Sequence, residues 1–117
     1  MVSPLSSATS AISSFSVKMD VTANNIANVN TDGFKKSRTT LQEGKNGGVQ
    51  PVVDRVDTPG LPKLVSEDGV TREVENSNVD LAEELTETIP TQTAYSANLK
   101  TIQTADDMLG SLLDTIG

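Results

Sequence analysis

The amino-acid sequence predicts a mainly α fold, in which two long terminal helices form an antiparallel coiled coil with a small β-hairpin insert between them. Apolar side chains recur in heptads near both ends of the 117 residues, and β-branched and turn-forming residues separate the two patterns. Hydrophobic residues make up only 35% of the chain and aromatic residues 3%, so a self-sufficient core is not expected. We therefore expect the helices to pack against partners as well as against each other.

The first unit, residues 1–33, is predicted to be a coiled-coil helix followed by an Asn-rich turn. Ser3 and Pro4 are a helix-start signal, because the hydroxyl can cap free amides and proline has no N–H to lose there. Residues 30–33 predict the stop, since Asn and Gly tolerate the left-handed conformation that ends helices. Many serines weaken this helix, which should fray when alone. Its predicted seam is Leu5, Ala8, Ile12, Phe15, Met19, Thr22, Ile26 and Val29.

Residues 34–76 are predicted to form an extended segment and a small β insert. The dipeptide Asp68-Gly69 is a strong hairpin-turn signal. Apolar and β-branched residues lie on both sides of it, at 64–65 and 70–74. Pro51, Pro59 and Pro62 restrict which strands can lie inside a sheet. A short hairpin is therefore expected.

Residues 77–117 are predicted to form the second coiled-coil helix. Ser77 and Asp80 have the spacing of a capping box and predict its start. Pro90 lies inside the pattern, where it removes one backbone hydrogen bond and clashes with the preceding turn, so we predict a kink or a break near Thr88 to Pro90. The predicted seam is Leu81, Leu85, Thr88, Gln92, Tyr95, Leu99, Ile102, Asp106, Leu109, Leu113 and Ile116.

The composition argues against several classes of function. A net charge of −7 disfavours binding to nucleic acid and to anionic membrane surfaces. The chain has neither Cys nor His, so zinc sites and imidazole catalysis are excluded, and we predict no catalytic residue, metal site or cofactor. No run approaches the roughly 20 apolar residues of a membrane span, and the first residues lack an apolar signal region. We expect neither membrane insertion nor a cleaved signal peptide.

The charge is unevenly distributed along the chain. Residues 1–38 contain four basic and two acidic side chains, whereas residues 66–117 contain eleven acidic and two basic ones. We therefore expect the two ends to attract each other. Glu83, Glu84 and Glu87 have two open interpretations: a solvated acidic face near a helix N-terminus, or ion pairs with basic residues of another subunit. The basic candidates are Lys18, Lys35, Lys36 and Arg38.

Two motifs carry a resemblance to a known family. Residues 23–35 read ANNIANVNTDGFK, and residues 75–81 read ENSNVDL ahead of QTAYSAN at residues 92–98. With these motifs the chain resembles the flagellar axial family of rod, hook and hook-associated subunits. Distal rod and hook subunits insert whole β domains where this chain has only a short insert. The chain is therefore most similar to the short proximal rod proteins of the flagellar basal body.

The resemblance implies a structural subunit and not an enzyme. In this family the terminal helices form the inner layer of a hollow tube, here the periplasmic basal-body rod. Copies of the chain, other flagellar rod and hook subunits and the flagellar type III export apparatus are the implied partners. One alternative is a stand-alone paralogue that binds rod or export-gate components without being built into the rod. The other is an enzyme such as a peptidoglycan hydrolase, for which the chain offers no recognisable acid/base pair.

Residues of both helices and both motifs are expected to contact neighbouring subunits. For the asparagines the alternative is helix-end and turn chemistry, and for Tyr95 it is packing in the core. Gly33 is expected to shape the turn after the first helix, and Phe34 to fill the space beneath it. The predicted interface set is Leu5, Ile12, Phe15, Met19, Asn24, Asn25, Ile26, Asn28, Asn30, Gly33, Phe34, Asn78, Asp80, Gln92, Tyr95, Asn98, Leu99, Ile102 and Leu109.

Overall fold

The computed structural model describes residues 3–117 as an elongated molecule of 81 × 25 × 19 Å. Its architecture confirms the predicted fold class, because two long helices flank a small β region. The first two residues of the predicted N-terminal unit lie outside the described residues. The elements are α1 (Pro4–Ala27), β1 (Ser37–Glu43), β2 (Val49–Arg55), β3 (Pro62–Glu67), β4 (Val70–Glu75) and α2 (Leu81–Ile116).

Side chains cap both ends of α1. Ser3 Oγ accepts a hydrogen bond from the amide three residues later at 3.1 Å, and Pro4 occupies the first helical position, as predicted. At the other end, Asn28 Nδ2 donates to the carbonyl of Asn24 at 2.8 Å. The chain then turns through residues 28–33, where Gly33 has a φ of +72°. This left-handed conformation is the one predicted for the stop signal.

The second helix, α2, begins three residues later than predicted. Asp80 is its cap, because its Oδ1 accepts from the amides of the next turn at 3.0 and 3.3 Å. Ser77, the predicted cap, lies in an extended segment instead. Asn78 explains the difference: its side chain bonds to the backbone of the insert and thereby keeps this segment from winding into the helix.

Of the predicted kink or break near Thr88 to Pro90, the break is wrong, because α2 continues through Pro90 as one helix of 36 residues. The kink stays a prediction. Proline removes only one bond of the backbone ladder, at a cost of about 3 kcal/mol. Packing of the same turns against α1 offsets this cost, since Glu84 and Thr91 on either side of the proline are buried. Thr91 Oγ1 also donates to the carbonyl of Glu87 at 2.8 Å.

The insert consists of two antiparallel hairpins. β3 pairs with β4 through the predicted turn, in which Asp68 and Gly69 have φ values of +53° and +77°. Two positive φ values are characteristic of the type I′ turn that suits the twist of a hairpin. The second hairpin, β1 paired with β2, was not predicted. Its loop contains Gly47 and Gly48 at φ values of +87° and +73°.

The helices run antiparallel, as predicted. Asn25 near the end of α1 meets Glu84 near the start of α2, while Phe15 shares a groove with Tyr95 further along. The β1–β2 hairpin lies on α1, where Ser14 Oγ donates to the carbonyl of Val49 at 3.1 Å. Within the described residues, the β3–β4 hairpin packs against no other helix or strand. It therefore projects from the helical body.

The helices bury the predicted heptad seams only in part. Leu5, Leu81, Leu85 and Leu99 of those seams are 42 to 52% exposed. Small side chains let two helix backbones approach closely, and this close approach leaves the larger seam residues at the outside. Among the residues that the structure describes, the buried ones are Ala8, Ala11, Ser14, Thr22, Asn25, Glu84 and Thr91. The leucines of the predicted α2 seam are therefore offset from the face that pairs within the chain, whereas Ala8 and Thr22 of the predicted α1 seam are buried.

Candidate functional site

The two motif segments meet in one place, which we call the signature junction (residues 25–38 and 75–84). Gly33 N donates to the carbonyl of Glu75 at 2.8 Å, and Asn78 N donates to the carbonyl of Phe34 at 3.2 Å. These bonds fasten the turn after α1 to the segment that precedes α2. Both ends of the insert therefore converge on the helix pair.

Asn25 is the centre of the signature junction. Its Nδ2 donates to the carbonyl of Ser37 at 2.8 Å and to Glu84 Oε2 at 3.2 Å, and its Oδ1 accepts from Ser37 N at 3.0 Å. The side chain is 0% exposed. It thereby links α1, the start of β1 and α2 through one amide, and it has no surface to offer another subunit in this conformation.

Asn78 has a similar role on the opposite side of the junction. Its Oδ1 accepts from Lys36 N at 2.7 Å, and its Nδ2 donates to the carbonyls of Val56 and Thr58 at 2.8 and 2.9 Å. One side chain thus satisfies backbone groups before β1 and after β2. Both asparagines act as backbone clamps.

Ion pairs join the two ends of the chain at this junction. Arg38 donates to Glu84 Oε1 at 2.6 Å and to Glu83 Oε1 at 2.5 Å, and Lys36 Nζ lies 3.3 Å from Glu83 Oε2. A further pair, Lys18 with Glu87, measures 3.4 Å. The predicted attraction between the ends is confirmed, but these pairs form inside one chain. A solvated position is wrong for Glu84, which is fully buried.

The ion pairs shift the pKa values of two of these groups. Burial alone would lower the pKa of Arg38, but hydrogen bonding and charge from Glu84, together with those of Glu83, raise it. Partial burial alone would raise the pKa of Glu83. The hydrogen bond from Lys36 and the charge of Arg38 outweigh that effect, so the pKa of Glu83 lies below its usual value.

A further group of polar contacts, centred on Glu75, closes the base of the β3–β4 hairpin. Glu75 bonds to Lys35 and accepts from Gly60 N at 2.7 Å, and both contacts lower the pKa of Glu75. Gly60 is required sterically, because a Cβ there would stand 2.0 Å from the carbonyl oxygen of Asn76. The sequence around Gly60 does not show which backbone comes close to it, because that contact is made by residues far along the chain.

The predicted interface residues separate into two groups. Asn25, Asn28, Gly33, Asn78 and Asp80 make their contacts within the chain, as clamps, caps or turn residues. The remaining ones lie at the surface or half-buried, and for them contact with neighbouring subunits stays a prediction. They are Leu5, Ile12, Phe15, Met19, Asn24, Ile26, Asn30, Phe34, Gln92, Tyr95, Asn98, Leu99, Ile102 and Leu109.

The exposed part of the α2 seam forms what we call the outer helical face (Leu81, Leu85, Leu99, Leu109, Leu113 and Ile116). These side chains are 42 to 76% exposed. A shallow groove of about 250 Å³ lies between the helices, with Phe15, Met19 and Tyr95 among its lining residues. Such apolar surfaces on a thin two-helix body are suited to contact with further helices.

Two family models match the chain, one on each side of the insert. Residues 5–35 match "Flagella basal body rod protein", and residues 71–115 match "Flagellar basal body rod FlgEFG protein C-terminal". Together they cover more than half of the chain and contain all of the motif residues. The chain belongs to the flagellar axial family of rod and hook proteins. Members of this family are structural components of the flagellum.

Individual relatives from the axial family show the same correspondence. The flagellar basal-body rod protein FlgG of Bacillus subtilis is 54% identical over 43 residues, which cover 37% of this chain and 16% of the relative. FlgG of Buchnera aphidicola is 38% identical over 86 residues, which cover 72% of this chain and 30% of the relative. The flagellar hook protein FlgE of Borreliella burgdorferi is 49% identical over 86 residues, which cover 73% of this chain and 18% of the relative. The chain therefore matches less than a third of the length of these relatives.

Residues 36–70 of this axial-family chain lie outside both family matches. They form β1, β2, β3 and the turn into β4, so the two family models match the helices and most of the signature junction. Neither α1 nor α2, over the residues that the structure describes, is apolar enough to cross a lipid bilayer.

Proposed function

We propose that this axial-family chain is a structural subunit of the bacterial flagellar basal-body rod and assembles by helix packing into a hollow axial tube. The observation that carries the proposal is the outer helical face. Within the chain, the residues that the two helices bury are small or polar, such as Ala8, Thr22 and Thr91, while leucines remain outside. A subunit that keeps its most apolar stripe at the surface is suited to burying it against neighbours.

The expected gain on assembly is appreciable. Burying a leucine side chain completely stabilises by about 1.5–3 kcal/mol, so covering each half-exposed leucine of the outer helical face adds about 1 kcal/mol. Summed over the face, this is comparable with the whole stability of a small domain. Copies of the chain and other rod and hook subunits are the proposed partners.

The proposal includes the route to the rod and the position in it. We infer passage through the flagellar type III apparatus to the periplasmic rod from the family and from the many serines of α1, which favour helix only weakly. The insert is two hairpins and not a separate β domain, which supports a proximal position. The rival is a stand-alone paralogue that binds rod or export-gate components.

Electron microscopy of purified basal bodies from cells that express a tagged copy of the chain tests this function. Label within the rod, at the same axial level in every particle, is the expected result. Label that is absent from the rod but recovered with the export gate would overturn the proposal in favour of the rival. A copy with Leu85 and Leu99 both changed to Ser is the matched variant and should be lost from the particles.

A further inference from the structure

Asn46, in the loop between β1 and β2, differs from the other asparagines of the chain. It is the only asparagine that a glycine follows, and it is exposed. Asn25 and Asn78 are each held by several hydrogen bonds. The side-chain amides of Asn28 and Asn98 donate to helical carbonyls one turn earlier, each at 2.8 Å. Asn46 alone combines an exposed side chain with a following glycine.

An asparagine that precedes a glycine can react with its own main chain. The backbone nitrogen of Gly47 attacks Cγ of Asn46, its proton is carried by solvent to the side-chain amide, and this amide leaves as ammonia. The product is a cyclic imide, which water opens at either carbonyl carbon. Breaking the bond between the nitrogen and Cγ gives aspartate, whereas breaking the bond to the backbone carbon gives isoaspartate. The net reaction consumes one water and releases one ammonia, with no change of oxidation state.

The β1–β2 loop gives this reaction the space that it needs. Gly47 has no Cβ to hinder the approach of its nitrogen, and its φ is +87°. Its N–H donates to the carbonyl of Gly44 at 3.0 Å, so this bond must open before the nitrogen can attack. The loop, residues 44–48, is short and largely exposed, and backbone bonds in exposed loops open at little cost in free energy. The bond therefore slows the reaction and does not prevent it.

The two Asp-Gly pairs of the chain are less suited to the same chemistry. A carboxylate is ionised at neutral pH, and its negative charge repels the attacking nitrogen. In the first pair, Asp32 is also bound to Lys63 at 2.6 Å, and the amide of the following glycine donates to the carbonyl of Glu75 at 2.8 Å. Asn46 is therefore the preferred position.

The charges near Asn46 leave its reactivity to the backbone amide that follows. Glu43 and Lys45 flank it with opposite charges. Among the described helices and strands, only α1 packs on the β1–β2 hairpin, and residues 4–17 of α1 carry no charged side chain. The step that depends on pH is then the loss of the amide proton of Gly47. The reaction should therefore quicken as the pH rises.

Isoaspartate at this position would disturb the contact between the hairpin and α1, because it adds one carbon to the main chain. The loop has no slack. An added Cβ at Gly44 would stand 2.6 Å from the carbonyl oxygen of Gly47, and one at Gly48 would stand 2.6 Å from Ser10 Oγ. Just beyond, Val49 N donates to the same hydroxyl at 3.1 Å. A longer loop must give up some of these contacts.

We propose that Asn46 is a site of spontaneous modification, which converts to isoaspartate and aspartate through a cyclic imide with Gly47 and thereby loosens the β1–β2 hairpin from α1. The reaction needs only this chain and water, so the proposal goes beyond the rod function and does not depend on it. Each conversion also adds one negative charge to an exposed loop. Old copies of the chain thereby differ from new ones in charge and in how the hairpin is held.

Ageing of the purified chain tests the modification. The natural chain and Asn46→Gln are incubated at neutral and at mildly alkaline pH, and their peptides are analysed by mass spectrometry and by enzymatic methylation of isoaspartate. Conversion at residue 46 should rise with pH and exceed that at Asn24 and Asn30 several-fold, since a residue with a Cβ follows each of these. Asn46→Gln should convert far more slowly, because its longer side chain must close a larger ring. An unchanged residue 46, or conversion no faster than at Asn30, would overturn the proposal.

Hydrogen exchange tests the effect on the hairpin. In the aged natural chain, the amide of Val49 should exchange several-fold faster than in the fresh chain, because its bond to Ser10 Oγ is lost. Aged Asn46→Gln should keep the slow exchange. Fresh Asn46→Asp carries the charge without the longer main chain, so it is the matched variant and should exchange slowly too. Unchanged exchange after complete conversion, or fast exchange in fresh Asn46→Asp, would overturn the loosening by a longer loop.

Discussion

The amide of Asn25 satisfies three buried groups at once, namely both backbone groups of Ser37 and one oxygen of Glu84. Glu84 is 0% exposed, and its charge is tolerated because Arg38 and this amide together occupy its oxygens. The sequence showed a cluster of asparagines at a helix end, which predicted caps or subunit contacts. It could not show that one of them lies beside a carboxylate 59 positions away in the chain.

Changing Asn25 to Ala should therefore lower the free energy of unfolding by about 2–3 kcal/mol, because buried donors and acceptors lose their partners. Urea unfolding followed by circular dichroism measures the change. The neighbouring Asn24 is exposed, and Asn24→Ala should have an effect below about 0.5 kcal/mol. Equal effects of the two substitutions would contradict the clamp role of Asn25.

Replacing glycine by alanine should lower the stability of the chain at one position, Gly60, and raise it at another, Gly110. A Cβ at Gly60 would collide with the carbonyl of Asn76, so Gly60→Ala should be destabilising. At Gly110 nothing lies within 4 Å of an added Cβ, and the residue is inside α2, so Gly110→Ala should stabilise the helix by about 0.5–1 kcal/mol. Thermal unfolding of the two variants and of the natural chain measures this: the midpoint should fall for Gly60→Ala and rise for Gly110→Ala.

At the scale of elements, the helices could be predicted and their contacts could not. Heptad spacing revealed α1 and α2, and Asp68-Gly69 revealed the β3–β4 hairpin. On α2 the pattern could not tell which stripe faces inward, because the buried residues there are Glu84 and Thr91 and the leucines lie outside. β1 gave no strand signal, since Leu41 is its only large apolar residue. Its pairing with β2 depends on tertiary contacts with α1.

The continuity of α2 through Pro90 leads to a prediction for this element. Pro90 is exposed, so an alanine there removes the ring clash and restores one backbone hydrogen bond without disturbing packing. Pro90→Ala should raise the free energy of unfolding by up to about 3 kcal/mol. The measurement is urea unfolding with helix content as the signal. Pro59→Ala, in a turn of the insert, serves as the control and should not increase helix content.

For the whole molecule, opposite charges at the two chain ends meet in the signature junction and hold the helix pair to the insert. The excess of basic residues near one end and of acidic residues near the other predicted this attraction from the sequence. The sequence left open whether the pairs form within or between subunits. That choice depends on the register of α1 against α2, which is set by small buried residues whose types carry little sequence signal.

The stability of the molecule should consequently fall in acid. The pKa values of Glu75 and Glu83 in the folded chain lie below the usual 4.5, so their ion pairs contribute stability above that pH and lose it as the pH falls through the lowered values. Urea midpoints measured from neutral pH down to about pH 3 should decrease. A chain with both residues changed to Gln should show a shallower decrease. An identical slope would contradict this assignment.

The projecting β3–β4 hairpin gives the molecule a permissive site. Its base is closed by the bond from Asn76 N to the carbonyl of Leu61 at 2.9 Å and by the Lys63–Asp32 pair at 2.6 Å. A peptide spliced between Asp68 and Gly69 would leave and rejoin the fold through adjacent strands. The spacing of the helices would not change. The tip is therefore a natural place to graft a visible label or a larger domain without disturbing the helix pair.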